Sequence, residues 1–178
     1  MEKPVETRVE TLYEGRIVRL YRKTVRLPHG GEARLEIVHH PGAAAVVPLH
    51  ADGTVTLVHQ YRHAVGDWLY ELPAGLLEAG EPPMACAARE LEEEAGLTAA
   101  DLAPLATYHT TPGFTDEVVH LFLATGLTPC AQRLEADELL TLERLPLWEA
   151  LAKAGGGTGD GKTLIGLMLA ARHLEGNA

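Results

Sequence analysis

Short runs of alternating apolar and polar residues dominate the N-terminal part of the chain and predict β-strands there. The β-branched and apolar positions predict strands at residues 16–21, 24–27 and 36–39. Pro41 and Gly42 then interrupt the pattern. We therefore expect a small N-terminal antiparallel sheet over residues 1–41, followed by a separate domain over residues 42–178.

The middle of the chain contains two longer apolar runs on either side of Ala51-Asp52-Gly53. An Asp-Gly pair between apolar runs is a strong signal for a β-hairpin. We therefore predict that residues 43–48 and 54–60 pair with each other. Further strands are predicted at residues 68–72, 105–110, 118–124 and 139–142.

Pro82 and Pro83 stand where a helix is expected to begin, and Gly96 stands where it is expected to end. Between them, apolar residues recur at helical spacing and form one stripe that a core can bury. The stripe consists of Met84, Ala87, Ala88, Leu91 and Ala95. Two more helices are predicted at residues 146–154 and 162–173. Because strands and helices alternate without regular βαβ spacing, we expect an α/β fold with a mixed sheet flanked by helices.

The composition limits the classes of protein that fit. The 178 residues are 46% hydrophobic and 22% charged, which suits one folded domain with a modest extra layer. A formal net charge of −10 argues against a nucleic-acid partner, since that needs clustered Lys and Arg. No apolar run is long enough to cross a membrane, and the first residues lack the apolar segment of a signal peptide. Cys86 and Cys130 form no metal-binding or disulfide pattern, so we expect a cytoplasmic protein.

Three glutamates share one face of the helix predicted before Gly96. Glu90, Glu93 and Glu94 are spaced i, i+3 and i+4, and like charges at that spacing cost about 0.2–0.5 kcal/mol per pair. They also lie near the C-terminal end of the helix, where the helix dipole disfavours anions. A divalent cation such as Mg²⁺ would explain the arrangement, since it binds carboxylate oxygens. A solvated acidic face is the alternative.

The segment around these glutamates matches a known motif at every specified position. The Nudix box is G-x5-E-x7-R-E-U-x-E-E-x-G-U, in which U is a bulky aliphatic residue. The matching residues are Gly75, Glu81, Arg89, Glu90, Leu91, Glu93, Glu94, Gly96 and Leu97. The chain therefore resembles the Nudix hydrolases. This resemblance implies an α/β/α sandwich and metal-dependent hydrolysis of a nucleoside diphosphate that is linked to another group.

The resemblance also implies a role for each polar residue of the box. Glu90 and Glu94 would bind the metal ion directly, and Glu93 would be a ligand or a base for metal-bound water. Arg89 would pair with the glutamates and orient them, and Glu81 would support the loop or add a ligand. The implied ion is Mg²⁺, for which Mn²⁺ or another divalent ion could substitute.

Outside the box the chain resembles the ADP-ribose pyrophosphatase branch of these enzymes. Three segments carry this likeness: Gln60-Tyr61-Arg62, Leu72-Pro73-Ala74-Gly75 and Thr111-Pro112-Gly113-Phe114-Thr115-Asp116-Glu117. The likeness implies hydrolysis of ADP-ribose to AMP and ribose 5-phosphate, with the Ala74 carbonyl as a further metal ligand. GDP-mannose or another nucleotide sugar is the alternative substrate. A non-catalytic module that senses ADP-ribose is the alternative of another class.

Residues outside the box are expected to bind substrate. The predicted substrate-binding residues are Arg62, Glu71, Pro112, Gly113 and Phe114. Arg62 and Glu71 could equally belong to surface ion pairs, and Phe114 could simply anchor its loop.

The catalytic base is expected on a loop after the box, because the branch often uses an acidic residue there. Within Glu135-Ala136-Asp137-Glu138 the best match is Glu138. The alternatives are that this loop is only solvated and that Glu93 accepts the proton.

The branch also exchanges its N-terminal strands between two subunits. The resemblance therefore implies a homodimer in which residues 1–41 form the exchanged sheet. A monomer with an extended sheet is the alternative.

Residues 156–163 match the P-loop pattern G-x4-G-K-T. A P-loop follows a buried strand of a parallel sheet, whereas residues 148–154 have the pattern of a helix. We therefore interpret this segment as a glycine-rich loop before the last helix.

Overall fold

The computed structural model describes residues 2–134, 138–157 and 159–176, which form two compact units. One unit contains the residues up to Gly42 together with Tyr108–Val118. The other contains Ala43–Thr107 and the residues from Val119 onwards. The first unit therefore combines the N-terminal strands with a short segment from the middle of the chain.

An antiparallel sheet in the order β1-β2-β3 forms most of the first unit. Its strands are β1 (Val5–Glu14), β2 (Arg19–Leu27) and β3 (Gly31–His39). This confirms the small N-terminal antiparallel sheet predicted from the sequence. β2 is one strand where two were predicted, because its central charged residues pair across the sheet and do not interrupt it. Arg22 lies 3.4 Å from Glu36 on β3, and Lys23 lies 3.0 Å from Glu6 on β1.

β1 has no buried face within its own chain. Nearly all of its residues are exposed, including the apolar Val5, Val9 and Tyr13, which are 60%, 48% and 58% exposed. A strand that is buried on one face shows a period-2 pattern of apolar residues. Because β1 lacks such a face, the sequence pattern did not predict it as a separate strand.

Within the described residues, the second unit consists mainly of two sheets and three helices. Its strands are β4 (Ala43–Pro48), β5 (Thr54–Arg62), β6 (Asp67–Glu71), β7 (Ala74–Leu76), β8 (Leu97–Thr98), β9 (Asp101–His109), β10 (Val118–Thr125), β11 (Thr128–Pro129) and β12 (Leu140–Pro146). The first sheet has the order β7-β4-β10-β9, with β4 parallel to β10 and antiparallel to β7. The second sheet is antiparallel, in the order β12-β5-β6. The expected mixed sheet is therefore confirmed.

The predicted hairpin of β4 and β5 is wrong, although its turn forms. Gly53 has a φ of 78°, and its N–H donates to the carbonyl oxygen of His50 at 3.0 Å. After a single bridge between Leu49 and Val55, the two strands continue in different sheets. The physical reason is that β4 is hydrogen-bonded to β7 and β10 along its two edges, which leaves no edge for β5.

Helices cover both faces of the mixed sheet. They are α1 (Pro83–Ala95), α2 (Leu147–Ala154) and α3 (Gly161–Gly176). Val46 of β4 is buried in one cluster with Leu91 of α1. Its neighbour Val47 points to the opposite face, where a Cβ atom at Gly166 of α3 would lie 3.2 Å from Val47 Cγ2. This layering confirms the predicted α/β/α sandwich. No helix in the described part of the chain is both long and apolar enough to cross a membrane.

Candidate active site

Helix α1 carries the box glutamates on the edge of the core. The helix follows Pro82, whose backbone is extended (φ −64°, ψ 137°), and it ends at Gly96, which is left-handed (φ 61°). Both ends agree with the sequence prediction. The buried stripe differs from the prediction at two positions, because Met84 is 45% exposed and Ala88 is only half-buried, and Cys86, which was not predicted, is fully buried.

Two of the three box glutamates on α1 are buried. Glu90 and Glu94 are 7% and 3% exposed, whereas Glu93 is half-buried. Burial raises the pKa of Glu94 to about 8, although the Ala74 N–H donates to Glu94 Oε2 at 2.8 Å. Burial also raises the pKa of Glu90. The charge of Glu90 also acts to raise the pKa of Glu94, so these two buried carboxylates are unfavourable together as anions unless a cation compensates them.

Arg89 connects the glutamates to the loop before the helix. Its Nε and Nη2 donate to the two carboxylate oxygens of Glu81 at 3.0 and 3.1 Å. Its Nη1 donates to Glu90 Oε1 at 2.6 Å and to Glu93 Oε2 at 3.1 Å. The hydrogen bonds from Arg89 lower the pKa of Glu81 to about 2. Arg89 thus fixes the orientation of two glutamates and the position of the loop.

Gly75 leaves the space that the Glu90 carboxylate occupies. A Cβ atom at Gly75 would lie 1.8 Å from Glu90 Oε1 and 2.8 Å from Glu90 Oε2. A larger residue would therefore displace this carboxylate. The backbone of Ala74 and Gly75 on β7 lies directly against the acidic face of α1.

The donor set of this site fits a hard divalent cation. Carboxylate and carbonyl oxygens are the ligands that Mg²⁺ prefers, and a cation would favour the ionised forms of Glu90 and Glu94. In residues 2–134, 138–157 and 159–176, no group of three or more His, Cys, Asp or Glu is already arranged to hold a metal ion. The hydrogen bonds from Arg89 and from the Ala74 N–H use one carboxylate oxygen of each glutamate, namely Oε1 of Glu90 and Oε2 of Glu93 and Glu94.

Arg62 and Glu71 form an ion pair at the ends of β5 and β6. Arg62 Nε donates to Glu71 Oε1 at 2.6 Å, and Arg62 Nη2 donates to Glu71 Oε2 at 2.9 Å. The Glu71 side chain is only 2% exposed, so this is not a surface pair. The hydrogen bonds that Arg62 donates to Glu71, and more weakly the charge of Glu94, raise the pKa of Arg62. The guanidinium is therefore within electrostatic range of the box.

The middle segment of the chain adds a short extension to β3 in the first unit. The predicted substrate-binding residues on it are Pro112, Gly113 and Phe114. The Val38 N–H donates to the Phe114 carbonyl oxygen at 2.8 Å, and a hydrogen bond of 2.7 Å joins Asp116 Oδ2 to His39 Nδ1. The Phe114 side chain is 53% exposed. Asp116 and the backbone therefore anchor this loop, whereas Phe114 presents its ring to solvent.

Glu138 lies near the box glutamates in the second unit. It is half-buried. After burial itself, its charge is among the causes that raise the pKa of Glu90 and Glu94. The other members of the predicted acidic loop, residues 135–137, lie outside the described residues. Among the described residues of this loop, Glu138 exerts its charge on two of the box glutamates.

Three residues that the sequence did not indicate lie next to Glu71. Lys162 Nζ contacts Glu71 Oε2, and Asp160 Oδ2 lies 3.1 Å from Lys162 Nζ. The hydroxyl of Thr163 accepts the Leu72 N–H at 2.9 Å. The segment follows α2 rather than a strand, as expected from its interpretation as a loop. The sequence feature that draws attention to Lys162 and Thr163 is the Gly-Lys-Thr of the P-loop pattern. That pattern indicates phosphate binding and does not indicate a contact with Glu71.

A mixed sheet between helices, with an arginine-bound row of glutamates on one of them, is the arrangement of a Nudix domain. The family model of the NUDIX domain matches residues 38–164, which is more than half of the chain. The chain therefore belongs to the Nudix family.

Named relatives extend this likeness beyond the box. The chain is 49% identical to an ADP-ribose pyrophosphatase of Mycobacterium tuberculosis over 146 residues, 79% of this chain and 70% of that protein. It is 43% identical to an ADP-ribose pyrophosphatase of Bacillus subtilis over 129 residues, 72% and 70% of the two chains. It is also 42% identical to a methanol dehydrogenase activator of Bacillus methanolicus over 152 residues, 84% and 81% of the two chains.

A solved structure confirms the fold. The crystal structure of an ADP compounds hydrolase superposes with a TM-score of 0.86 at 22% sequence identity, covering 100% of this chain and 97% of that chain.

Proposed function

We propose that this protein hydrolyses the diphosphate bond of ADP-ribose and releases AMP and ribose 5-phosphate. The observation that carries the proposal is the pair of buried carboxylates, Glu90 and Glu94, which lie against the β7 backbone and need a cation to be stable as anions. The choice of substrate is supported by the two relatives that are named ADP-ribose pyrophosphatases.

Mg²⁺ is the proposed cofactor, and Mn²⁺ or another divalent ion can substitute for it. Glu90 and Glu94, together with the Ala74 carbonyl, would hold the ion, and Glu93 is a further ligand. When bound, the metal neutralises the diphosphate and makes a water molecule more acidic. Arg89 would hold Glu90 and Glu93 in place as ligands through its hydrogen bonds to them.

The other proposed roles concern binding of the substrate and transfer of a proton. Residues that would bind the substrate are Arg62, Glu71, Pro112, Gly113 and Phe114. Arg62 is suited to the diphosphate, because guanidinium groups bind phosphate oxygens in a bidentate manner. Glu138 would accept the proton of the attacking water, since it lies close to the box carboxylates.

The assignment of Glu138 is tested against the alternative that Glu93 is the base. We expect Glu138→Gln to lower kcat about 10²–10⁴-fold with Mg²⁺ present, the contribution typical of general-base catalysis. Glu93→Gln is assayed beside it as the competing variant. Near-wild-type turnover of Glu138→Gln would exclude Glu138 as the base.

The substrate is tested with a panel of nucleoside diphosphate compounds and a coupled phosphatase. ADP-ribose, GDP-mannose, ADP-glucose, NADH and diadenosine polyphosphates are compared with Mg²⁺, and Glu93→Gln is the control. A clear preference for ADP-ribose, lost in the variant, supports the proposal. A preference for GDP-mannose would keep the mechanism and replace the substrate, and binding without turnover would indicate a sensing module.

A cytoplasmic homodimer is the proposed state of the protein. The apolar residues of β1 are exposed within a single chain, so a second chain is suited to cover them. The distribution of charge along the chain also favours a dimer, because a basic N-terminal sheet can pack against the acidic remainder of a second chain. Residues 1–42 contain eight Lys and Arg against six Asp and Glu, whereas the remaining residues contain seven against nineteen.

Cys86 and Cys130 are both free, which suits a reducing compartment.

A further inference from the structure

Glu71 has two cationic partners, and the second of them is not explained by the box or by the proposed mechanism. Glu71 Oε2 accepts a hydrogen bond from Arg62 Nη2 at 2.9 Å and another from Lys162 Nζ. The side chains of Glu71 and Lys162 are 2% and 17% exposed. Burial acts to raise the pKa of Glu71, but the hydrogen bond from Arg62 and the charge of Lys162 bring it below its ordinary value. Glu71 is therefore ionised at neutral pH.

The first turn of α3 fixes Lys162 in this place. Asp160 Oδ2 accepts the Thr163 N–H at 2.9 Å and the Thr163 hydroxyl at 2.6 Å, and it lies 3.1 Å from Lys162 Nζ. The Thr163 side chain is fully buried, and its hydroxyl accepts the Leu72 N–H. The start of α3 is thus bonded to two successive residues, Glu71 and Leu72, which precede the box by a few residues. Lys162 is therefore held by Glu71 on β6 and by Asp160, which directly precedes α3.

The charges of this network balance because Lys162 is part of it. Arg62 and Lys162 carry two positive charges, and Glu71 and Asp160 carry two negative charges. Without Lys162 the group would carry a net charge of −1, and the charge of Glu94 already acts on Arg62. An anionic diphosphate would then approach a negative cluster, which is unfavourable at these distances.

We propose that Lys162 is a positioning residue for substrate binding, because it offsets the charge of Glu71 so that the Arg62 guanidinium can still attract the diphosphate. Arg62 Nε and Nη2 are bonded to Glu71, and the Arg62 side chain remains 39% exposed. The Gly-Lys-Thr sequence of this chain thus acts through a buried carboxylate and does not enclose a phosphate itself. The inference rests on the proposed function, in which Arg62 contacts the substrate.

The test compares Lys162→Met with the wild type in two assays. Steady-state kinetics with Mg²⁺ and ADP-ribose give KM and kcat, and calorimetric titration of ADP-ribose in EDTA gives Kd without turnover. We expect both KM and Kd to rise about tenfold, with a much smaller change in kcat. Lys162→Arg keeps the positive charge and should retain most of the affinity. Lys153→Met is the matched control, since Lys153 pairs with Glu143 on α2 and β12, and it should leave KM and Kd unchanged.

A second variant separates charge from packing. Asp160→Asn combined with Lys162→Met removes one charge of each sign and restores the balance, so its Kd should recover to within about threefold of the wild type. A double variant as weak as Lys162→Met, or a wild-type Kd and KM in Lys162→Met itself, would overturn the proposal. Wild-type turnover of ADP-ribose is measured first. If the wild type does not turn over ADP-ribose, the proposed function is contradicted. If the wild type is active and only the Lys162 variants bind ADP-ribose more weakly, the result supports the role of Lys162.

Discussion

At the scale of single residues, Gly75 shows how a missing side chain determines the position of a carboxylate in the candidate site. The carboxylate of Glu90 occupies the volume that a Cβ atom at Gly75 would need. Arg89 Nη1 donates a hydrogen bond to Glu90 Oε1, the oxygen that lies nearest to this Cβ position. The requirement for glycine at this position is thus steric and does not depend on backbone conformation.

Replacement of Gly75 by alanine tests this steric account. We expect Gly75→Ala to push the Glu90 carboxylate out of place and to lower kcat about 10²-fold, since misplacement by about 1 Å has effects of that size. The measurement is kcat with Mg²⁺, with thermal unfolding to verify the fold. Gly176→Ala is the control, because a Cβ atom there meets nothing within 4 Å. Full activity of Gly75→Ala would contradict the account.

The sequence predicts some residues of the site better than others, and the difference has a physical cause. Glu90 and Glu94 can be assigned to one face because helical spacing is local. Contacts across long stretches of chain leave no such pattern. Lys162 and Glu71 are 91 residues apart, and nothing in the spacing of either one indicates the other.

At the scale of elements, the loop before α1 is held to the helix by the ion pair of Glu81 and Arg89. The Glu78 N–H also donates to Glu81 Oε2 at 3.0 Å. Hydrogen bonds from Arg89 lower the pKa of Glu81 from 4.5 to about 2. A carboxyl group whose pKa is lowered by folding stabilises the folded state above its unfolded pKa and loses this contribution as the pH falls through the folded pKa.

The stabilisation by Glu81 is therefore expected to disappear between about pH 4.5 and pH 2. Wild type should be more stable than Glu81→Gln at pH 7, and the difference should shrink as the pH falls through this window. Thermal unfolding in metal-free buffer at pH 7, 4.5 and 3 measures it. Glu175→Gln, at an exposed position near the end of α3, is the control. A difference that stays constant down to pH 3 would show that ionised Glu81 does not anchor the loop.

The sequence predicts well the ends of elements that are set by nearby residues. It does not predict strand pairing that depends on residues far away in the chain. Pro82 and Gly96 mark the ends of α1, because proline and glycine act through their own backbone conformation. By contrast, the Asp52-Gly53 sequence correctly predicts a turn but does not indicate which strands pair with β4. β4 pairs with β7 and β10, and this pairing depends on burial across the whole sheet.

At the scale of the whole molecule, the exposed sheet of β1, β2 and β3 is the main argument for a second chain. A three-stranded sheet with apolar residues exposed on β1 is costly in water and suited to pack against a partner. The surplus of basic residues in this sheet suits the acidic remainder of a second copy.

Light scattering after size-exclusion chromatography tests the dimer at micromolar concentration. We expect twice the mass of one chain for the wild type and a shift towards the monomer for Val5→Glu combined with Val9→Glu. Met168→Glu is the control, since Met168 is an apolar residue with 60% exposure on α3 and outside this sheet. A monomeric wild type would refute the homodimer.

The central claim is that this Nudix domain uses its buried glutamates to cleave ADP-ribose with a divalent metal ion. Chromatography of the products, after incubation of ADP-ribose with wild type and with Glu94→Gln, tests it most directly. We predict AMP and ribose 5-phosphate in equal amounts from the wild type with Mg²⁺, and neither product with EDTA or from the variant. Intact ADP-ribose after incubation of folded wild-type protein with Mg²⁺ or Mn²⁺ would contradict the account.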